Sequence, residues 1–267
     1  MKSKTLRILK QEYKMAVGYE LSHVIKFVSL ALGGVITSIL FCVLWLASSK
    51  LGYDAISEKY ILSYFLLVLL CTRLITDVSV KFTMSSITRG DFSKYLIKPF
   101  SYLTEVLGVN LGEQILQTLF VLPFVILGGY LLRNYLIYDI TPYTVFLFIM
   151  AVLMAHIIKF LSSQIFSLFA FTVKENQGLR ILYENAVIIF SGEIIPYVAL
   201  SDTFVMILRV LPFRYMLSFP MEILMGGMRP YDLSFGFITG SIWIIFLFLI
   251  YKIAYAVNIK KYEAEGI

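Results

Sequence analysis

The chain has 267 residues, of which 59% are hydrophobic and only 15% charged. Soluble domains carry roughly 25% charged residues, so most soluble activities are excluded at once. A net charge of +6 would suggest nucleic acid in a soluble protein; here its distribution reports topology instead, and no nucleic-acid partner is expected.

Residues 5–25 read as an amphipathic helix. Leu6, Leu9, Tyr13, Ala16, Val17, Leu21 and Val24 recur at three- and four-residue spacing, with Lys10, Lys14 and Glu20 on other faces. Such a helix beside a span lies in the membrane interface. Two readings are open: an anchor, or a lever pushed by a cytoplasmic partner. This first stretch is polar and basic without an apolar core, so a cleavable signal is not expected.

Six apolar runs follow, at 27–48, 61–82, 106–132, 143–171, 181–195 and 234–256. A bilayer core needs roughly 20 helical residues to cross, and lipid offers backbone groups no partner, so each run is expected to be helical. The third contains Pro123 and is expected to kink there. The fourth is longer than a perpendicular crossing needs and is expected to tilt. The fifth is about 15 residues, roughly 22 Å of helix, too short to cross alone. After Pro196 comes a stretch rich in apolar residues, broken by Pro212, Pro220, Gly226 and Gly227. A re-entrant hairpin or an interfacial cap on the outer face fits it best. The expected fold is thus an all-α integral membrane protein, one domain over residues 1–267, with six transmembrane helices. An N-terminal amphipathic interfacial helix precedes them, and broken outer-face helices lie between spans five and six.

Assigning the loops alternately sorts the basic residues. Fifteen fall on the side of both termini, among them Lys81, Arg89, Lys94 and Lys98; six fall on the other, Lys50, Lys59, Arg133, Arg209, Arg214 and Arg229. Both termini are therefore expected in the cytoplasm. Cys42 and Cys71 lie within spans and are expected to be reduced packing residues.

Several charges fall inside the spans. Arg73 and Asp77 are four apart and can pair on one helical face; His156 and Lys159 are three apart on another. Glu113 lies in span three, and Glu193 near the outer end of span five. They form either a polar pathway for substrate or inter-helix pairs with snorkelling ends. Asp77 and Lys159 suit the structural role better, and Glu193 the functional one.

Catalytic motifs are missing. The sequence has no Gly-Lys pair, hence no phosphate-binding loop, and neither His-Glu-x-x-His nor Gly-x-Ser-x-Gly. Two scattered histidines and two cysteines suggest no metal site. The loop after span two, Ser86 to Phe100, is more informative. Gly90 can break the outgoing helix, Asp91 can cap a short new one, and Pro99 can stop it. Phe92, Tyr95 and Leu96 would then form an apolar stripe, facing either a soluble docking partner or the lipid surface.

This loop, with its Ile-x-x-Gly-x-x-x-x-x-Leu-x-x-Pro pattern, resembles the region after span two in ATP-binding-cassette exporter permeases of the second exporter type. Phe190-Ser191-Gly192-Glu193-Ile194-Ile195-Pro196, followed by Leu211-Pro212-Phe213 and Phe219-Pro220, is similar to that family's end of span five. The resemblance implies a permease subunit of an ATP-driven exporter in a bacterial cell membrane. It implies a second permease subunit, identical or homologous, and separate ATPase subunits that hold ATP and Mg; no cofactor is expected on this chain. Arg89, Gly90, Asp91, Phe92, Tyr95, Leu96 and Pro99 would form the helix that docks on the ATPase. Phe190, Gly192, Pro196, Pro212 and Phe213 would lie at the outer gate. A secondary transporter and an integral-membrane enzyme remain as alternatives.

Overall fold

The computed structural model describes residues 2–21, 24–50, 56–96, 101–173 and 177–261. In chain order its helices are α1 (Lys2–Leu21), α2 (Val24–Lys50), α3 (Glu58–Leu74), α4 (Ser79–Thr88), α5 (Ser93–Leu96) and α6 (Tyr102–Leu131). They continue with α7 (Pro142–Ser167), α8 (Gln177–Phe190), α9 (Asp202–Val210), α10 (Pro212–Met216), α11 (Ser218–Met225) and α12 (Pro230–Asn258). Among the described residues there is no strand. Five segments are long and apolar enough to cross a membrane: α2, α3 with α4, α6, α7 with its 3₁₀ extension to Phe171, and α12. The protein is therefore an all-helical, multi-pass membrane protein.

Local chemistry sets several helix starts. Ser101 caps α6 by accepting from the Thr104 amide at 3.3 Å. Thr141 and Thr144 close a reciprocal capping box ahead of Pro142 at the start of α7. Prolines also open α10 and α12, where a missing amide hydrogen has no cost. Pro123 is tolerated inside α6.

The amphipathic segment expected at 5–25 is helical from Lys2 to Leu21; residues 22 and 23 lie outside the description. It packs along α6. Glu12 is buried there, and a Cβ at Gly108 would approach its Cβ at 2.8 Å. The glycine lets the two helices touch closely.

Span two, expected as one helix over 61–82, is broken at residues 75–78. Without proline or glycine in the segment, nothing local forces this break. Polar side chains of α6 replace the lost helical partners. Asn110 accepts from the Val78 amide at 2.9 Å, Thr76 donates to Gln117 at 3.1 Å, and the Gln114 amide donates to the Leu74 carbonyl. Asp77 accepts from the Ser79 amide at 2.9 Å and restarts the helix as α4.

The fifth run also differs. Its helix, α8, covers 14 residues, about 21 Å, starting four residues earlier than expected and stopping five earlier. Gly192, at φ 91°, turns the chain where a helix would have continued. Beyond it, α11 is buried on nearly every side, against α3 and α7. A glycine at 236 lets α12 close on Phe219. The segment after Pro196 is thus not only a cap: α11 belongs to the bundle core. α9, by contrast, leaves Phe204, Met206, Ile207 and Val210 all exposed.

The two ends of the bundle are distinct. One gathers Met84, Ile87, Phe92, Tyr102, Phe160 and Ala170 into a core that Tyr255 and Ile259 also join. At the other, Ser63 accepts from the Ile137 amide at 2.7 Å and from the Tyr138 hydroxyl at 3.0 Å. There the Asp139 amide also donates to the Leu224 carbonyl at 2.9 Å.

Candidate functional site

Two regions carry the residues singled out by sequence. The first is the turn from α4 to α5. Gly90, at φ 75°, ends α4, with its amide bonded to the Ile87 carbonyl and the Phe92 amide to that of Ser86. This reversal turns Phe92 inward. It is 0% exposed, stacked tilted on Tyr102 at 4.6 Å and edge-on to Phe171 at 5.2 Å. Tyr95 is half-buried beside it, 5.0 Å from Tyr102. The expected outward aromatic stripe is therefore corrected: Phe92 and Tyr95 anchor the turn to the bundle. Burying a Phe is worth about 1.5–3 kcal/mol relative to exposure, which outweighs a solvent-facing position.

What this turn presents outward is polar. Thr88, Arg89 and Lys94 are exposed, and Lys94 pairs with Asp91 at 2.5 Å. Lys94, by that hydrogen bond, holds the Asp91 carboxyl below its ordinary value, so the surface remains a charge pair at neutral pH. Leu96 closes α5, which is only 4 residues long; Pro99, expected to stop it, lies outside the described residues.

The second region lies where α8 ends, against α2, α3 and α11. A helix C-terminus leaves carbonyls without partners, a severe problem in lipid. Here four side chains resolve it. Tyr197 donates to the Phe190 carbonyl at 2.5 Å and Ser218 to that of Ser191 at 2.5 Å. Tyr64 donates to Gly192 at 2.5 Å and Trp45 to Ile194 at 3.0 Å. The backbone of the Ser191–Ile194 turn is thus held by α2, α3, α11 and its own following segment. Of the expected outer-gate residues, Gly192 and Pro196 are buried, and Phe190 packs on Phe213 at 5.5 Å, one residue after Pro212.

Glu193 projects from this turn into a cavity of about 260 Å³ between α2 and α3, which Arg73, Thr72, Thr37, Ser38 and Ser29 also line. Arg73 does not pair with Asp77, because the break at 75–78 ends the helical register that would align them. Its guanidinium donates instead to Gln117 at 3.2 Å and to the Leu30 carbonyl at 3.3 Å. Its tip sits against Gly34, where a Cβ would approach at 2.7 Å.

Lys159, on α7, lies within electrostatic reach of Glu193, Asp77 and Arg73. Yet neither Lys159 nor Glu193 closes an ion pair among the described residues. His156 is buried one turn away, stacked on Phe160, and its Nε2 has no hydrogen-bond partner among the described residues. Arg73, Asp77, Lys159 and Glu193 therefore belong to one group of two basic and two acidic side chains. Glu113 stands apart from it: it pairs with Lys26 at 2.6 Å and reaches the group only through Gln117, at 3.4 Å.

Two features escaped the sequence reading. Asn110, Glu113, Gln114 and Gln117 form one polar stripe on α6; their spacing of three and four was visible, but only Glu113 drew notice. Arg214 is 5% exposed and pairs with Glu222 at 2.5 Å, inside the segment that read as a re-entrant hairpin or an interfacial cap.

Among the described residues no cluster of His, Cys, Asp or Glu could hold a metal ion. The family model of the ABC-2 family transporter proteins matches residues 32–266. No individual curated protein and no solved structure matches the chain. The chain belongs to the ABC-2 transporter family, as the membrane permease component of an ABC transporter.

Proposed function

We propose that this chain is one half of an ATP-driven export permease, a single domain in a bacterial cell membrane with both termini in the cytoplasm. α8 and the turn after it serve as the fifth of six crossings. ATP and Mg are held by separate ABC ATPase subunits that dock on the α4–α5 turn, and a second permease subunit, identical or homologous, completes the path.

The observation that carries this reading is a basic and an acidic side chain that together line a cavity beside α2. Arg73 and Glu193 line a cavity beside α2, whose Ile36, Ile39, Leu40, Val43 and Leu44 are each more than half exposed. An isolated charge facing lipid costs several kcal/mol, so this face calls for a protein cover. A permease partner supplies it and turns the cavity into part of a path. The side assignment follows the basic residues: the end holding Phe92, Tyr102 and Tyr255 is the one flanked by Arg89, Lys94 and Lys252.

The test is co-purification of the tagged chain from its native membrane. A stable complex with a soluble nucleotide-binding protein is expected. Arg89→Glu combined with Lys94→Glu should uncouple ATP hydrolysis from transport without reducing the amount of folded permease, because both side chains are exposed. Full coupling in that double variant, or hydrolysis of ATP by the chain alone, would overturn the reading.

A further inference from the structure

We propose that the cavity between α2 and α3 binds the headgroup of a zwitterionic amphiphile, with the anionic part at Arg73, the cationic part at Glu193 and the apolar chain in an adjoining groove. The inference rests on the permease reading for its biological sense, but its chemistry is argued from the cavity alone.

Charge balance is the first argument. Arg73 and Glu193, one basic and one acidic side chain, line the cavity, and Lys159 lies within electrostatic reach of both. A ligand with net charge would leave an excess in a medium where charge is expensive. A net-neutral ligand with separated charges keeps the sum at zero and gives each cavity group a partner. Glu193 supplies the second argument, since its carboxylate makes no hydrogen bond or ion pair among the described residues, although its turn is held by four side-chain donors. The backbone is rigidly placed and the carboxylate is left open to the cavity. Such preorganisation lowers the ordering cost of binding.

Size and surroundings agree. The cavity holds about 260 Å³, enough for a compact headgroup. Its walls add the hydroxyls of Ser29, Thr37, Ser38 and Thr72, while Gly33 and Gly34 keep α2 from filling it. A second cavity of about 350 Å³ adjoins at Ser38 and Phe65 and is lined almost wholly by apolar groups, including Ile39, Leu66, Phe124 and Leu127. One wet and one greasy compartment sharing two wall residues match the two halves of an amphiphile.

The test uses the full chain in uncharged maltoside micelles, without nucleotide or ATPase. Three probes share one fluorescent acyl chain and differ in the head: phosphocholine, phosphoglycerol and trimethylammonium. The phosphocholine probe should bind saturably and at least about tenfold more tightly than the other two, as expected when one charge-assisted hydrogen bond is lost. Glu193→Gln removes only the negative charge; it should weaken the phosphocholine probe about tenfold while leaving the phosphoglycerol probe unchanged or tighter. Gly33→Leu, whose Cβ meets nothing within 4 Å, should fold normally, fill the cavity and abolish saturable binding. Equal binding of all three probes, or undiminished phosphocholine binding in either variant, overturns the proposal. Because no ATPase is present, headgroup selectivity with failed co-purification would sink the permease reading alone, and the reverse result would sink this site alone.

Discussion

The hydroxyl of Tyr64 on α3 donates to the carbonyl of Gly192 at 2.5 Å, and so ties the end of α8 to span two. Both residues are buried, and a Cβ at 192 would meet the Tyr64 hydroxyl at 2.8 Å and run into the Ser218 hydroxyl. Two independent penalties therefore act on any side chain there: the positive φ of 91° and the loss of space for two hydrogen-bond donors. Gly192→Ala should lower the thermal midpoint of the purified permease far more than Gly33→Ala, which meets open space. Tyr64→Phe keeps the ring and orphans one buried carbonyl, so it should cost about 1–3 kcal/mol. Equal midpoints for the two glycine variants would show that the turn is not built as described.

Phe92 gives the second prediction, and here the inward orientation decides the sign. With the ring buried against Tyr102 and Phe171, Phe92→Ala should destabilise the permease by about 3–5 kcal/mol, as for other buried aromatics. A charged substitution should prevent folding of the whole end of the bundle that holds Tyr102 and Phe171. Folded yield after detergent extraction measures both. A fully folded Phe92→Ala permease that has lost only ATP coupling would instead place the ring at the docking surface.

The break in span two depends on side chains of another helix, so it can be removed from a distance. Asn110 is 0% exposed, and its oxygen is the acceptor for the Val78 amide. Asn110→Leu leaves that amide unpartnered and should cost about 1–3 kcal/mol. Asn110→Thr keeps an uncharged side-chain oxygen as acceptor and should lose less. Equal losses for the two variants, read as thermal midpoints, would mean that the acceptor does not sustain the break.

These contrasts explain what could be read from the chain. Long apolar runs were legible because a bilayer imposes length and helicity locally, residue by residue. Pro196 marked the end of the fifth run by the same local logic, but the earlier turn at Gly192 did not show, because the apolar run continues through Ile195. The break after Leu74 was not legible either, since residues 75–78 contain neither glycine nor proline, and their partners lie more than 30 positions away on α6. The facing of Phe92 was hidden differently. A short helix with one apolar stripe looks the same whether the stripe meets a partner or its own bundle, and only the start of α6 and the end of α7 decide. The membrane charges were visible one by one, but the grouping of Arg73, Asp77, Lys159 and Glu193 comes from three separate segments.

Arg214 and Glu222 provide the sharpest energetic test, because their pair is closed at 2.5 Å with Arg214 almost fully enclosed. Arg214 also lies over the Phe219 ring at 5.8 Å, so its guanidinium is held on two sides within the α10–α11 corner. Removing one partner strands the other: Arg214→Met should cost about 3–5 kcal/mol, and Glu222→Gln somewhat less, since the amide can still accept. Replacing both, as Arg214→Met with Glu222→Leu, removes the stranded charge and should recover most of the loss, because a buried pair balances attraction against desolvation. Four thermal midpoints complete the cycle. Strictly additive losses would show that the two side chains act independently, and that the corner is held by its apolar contacts alone.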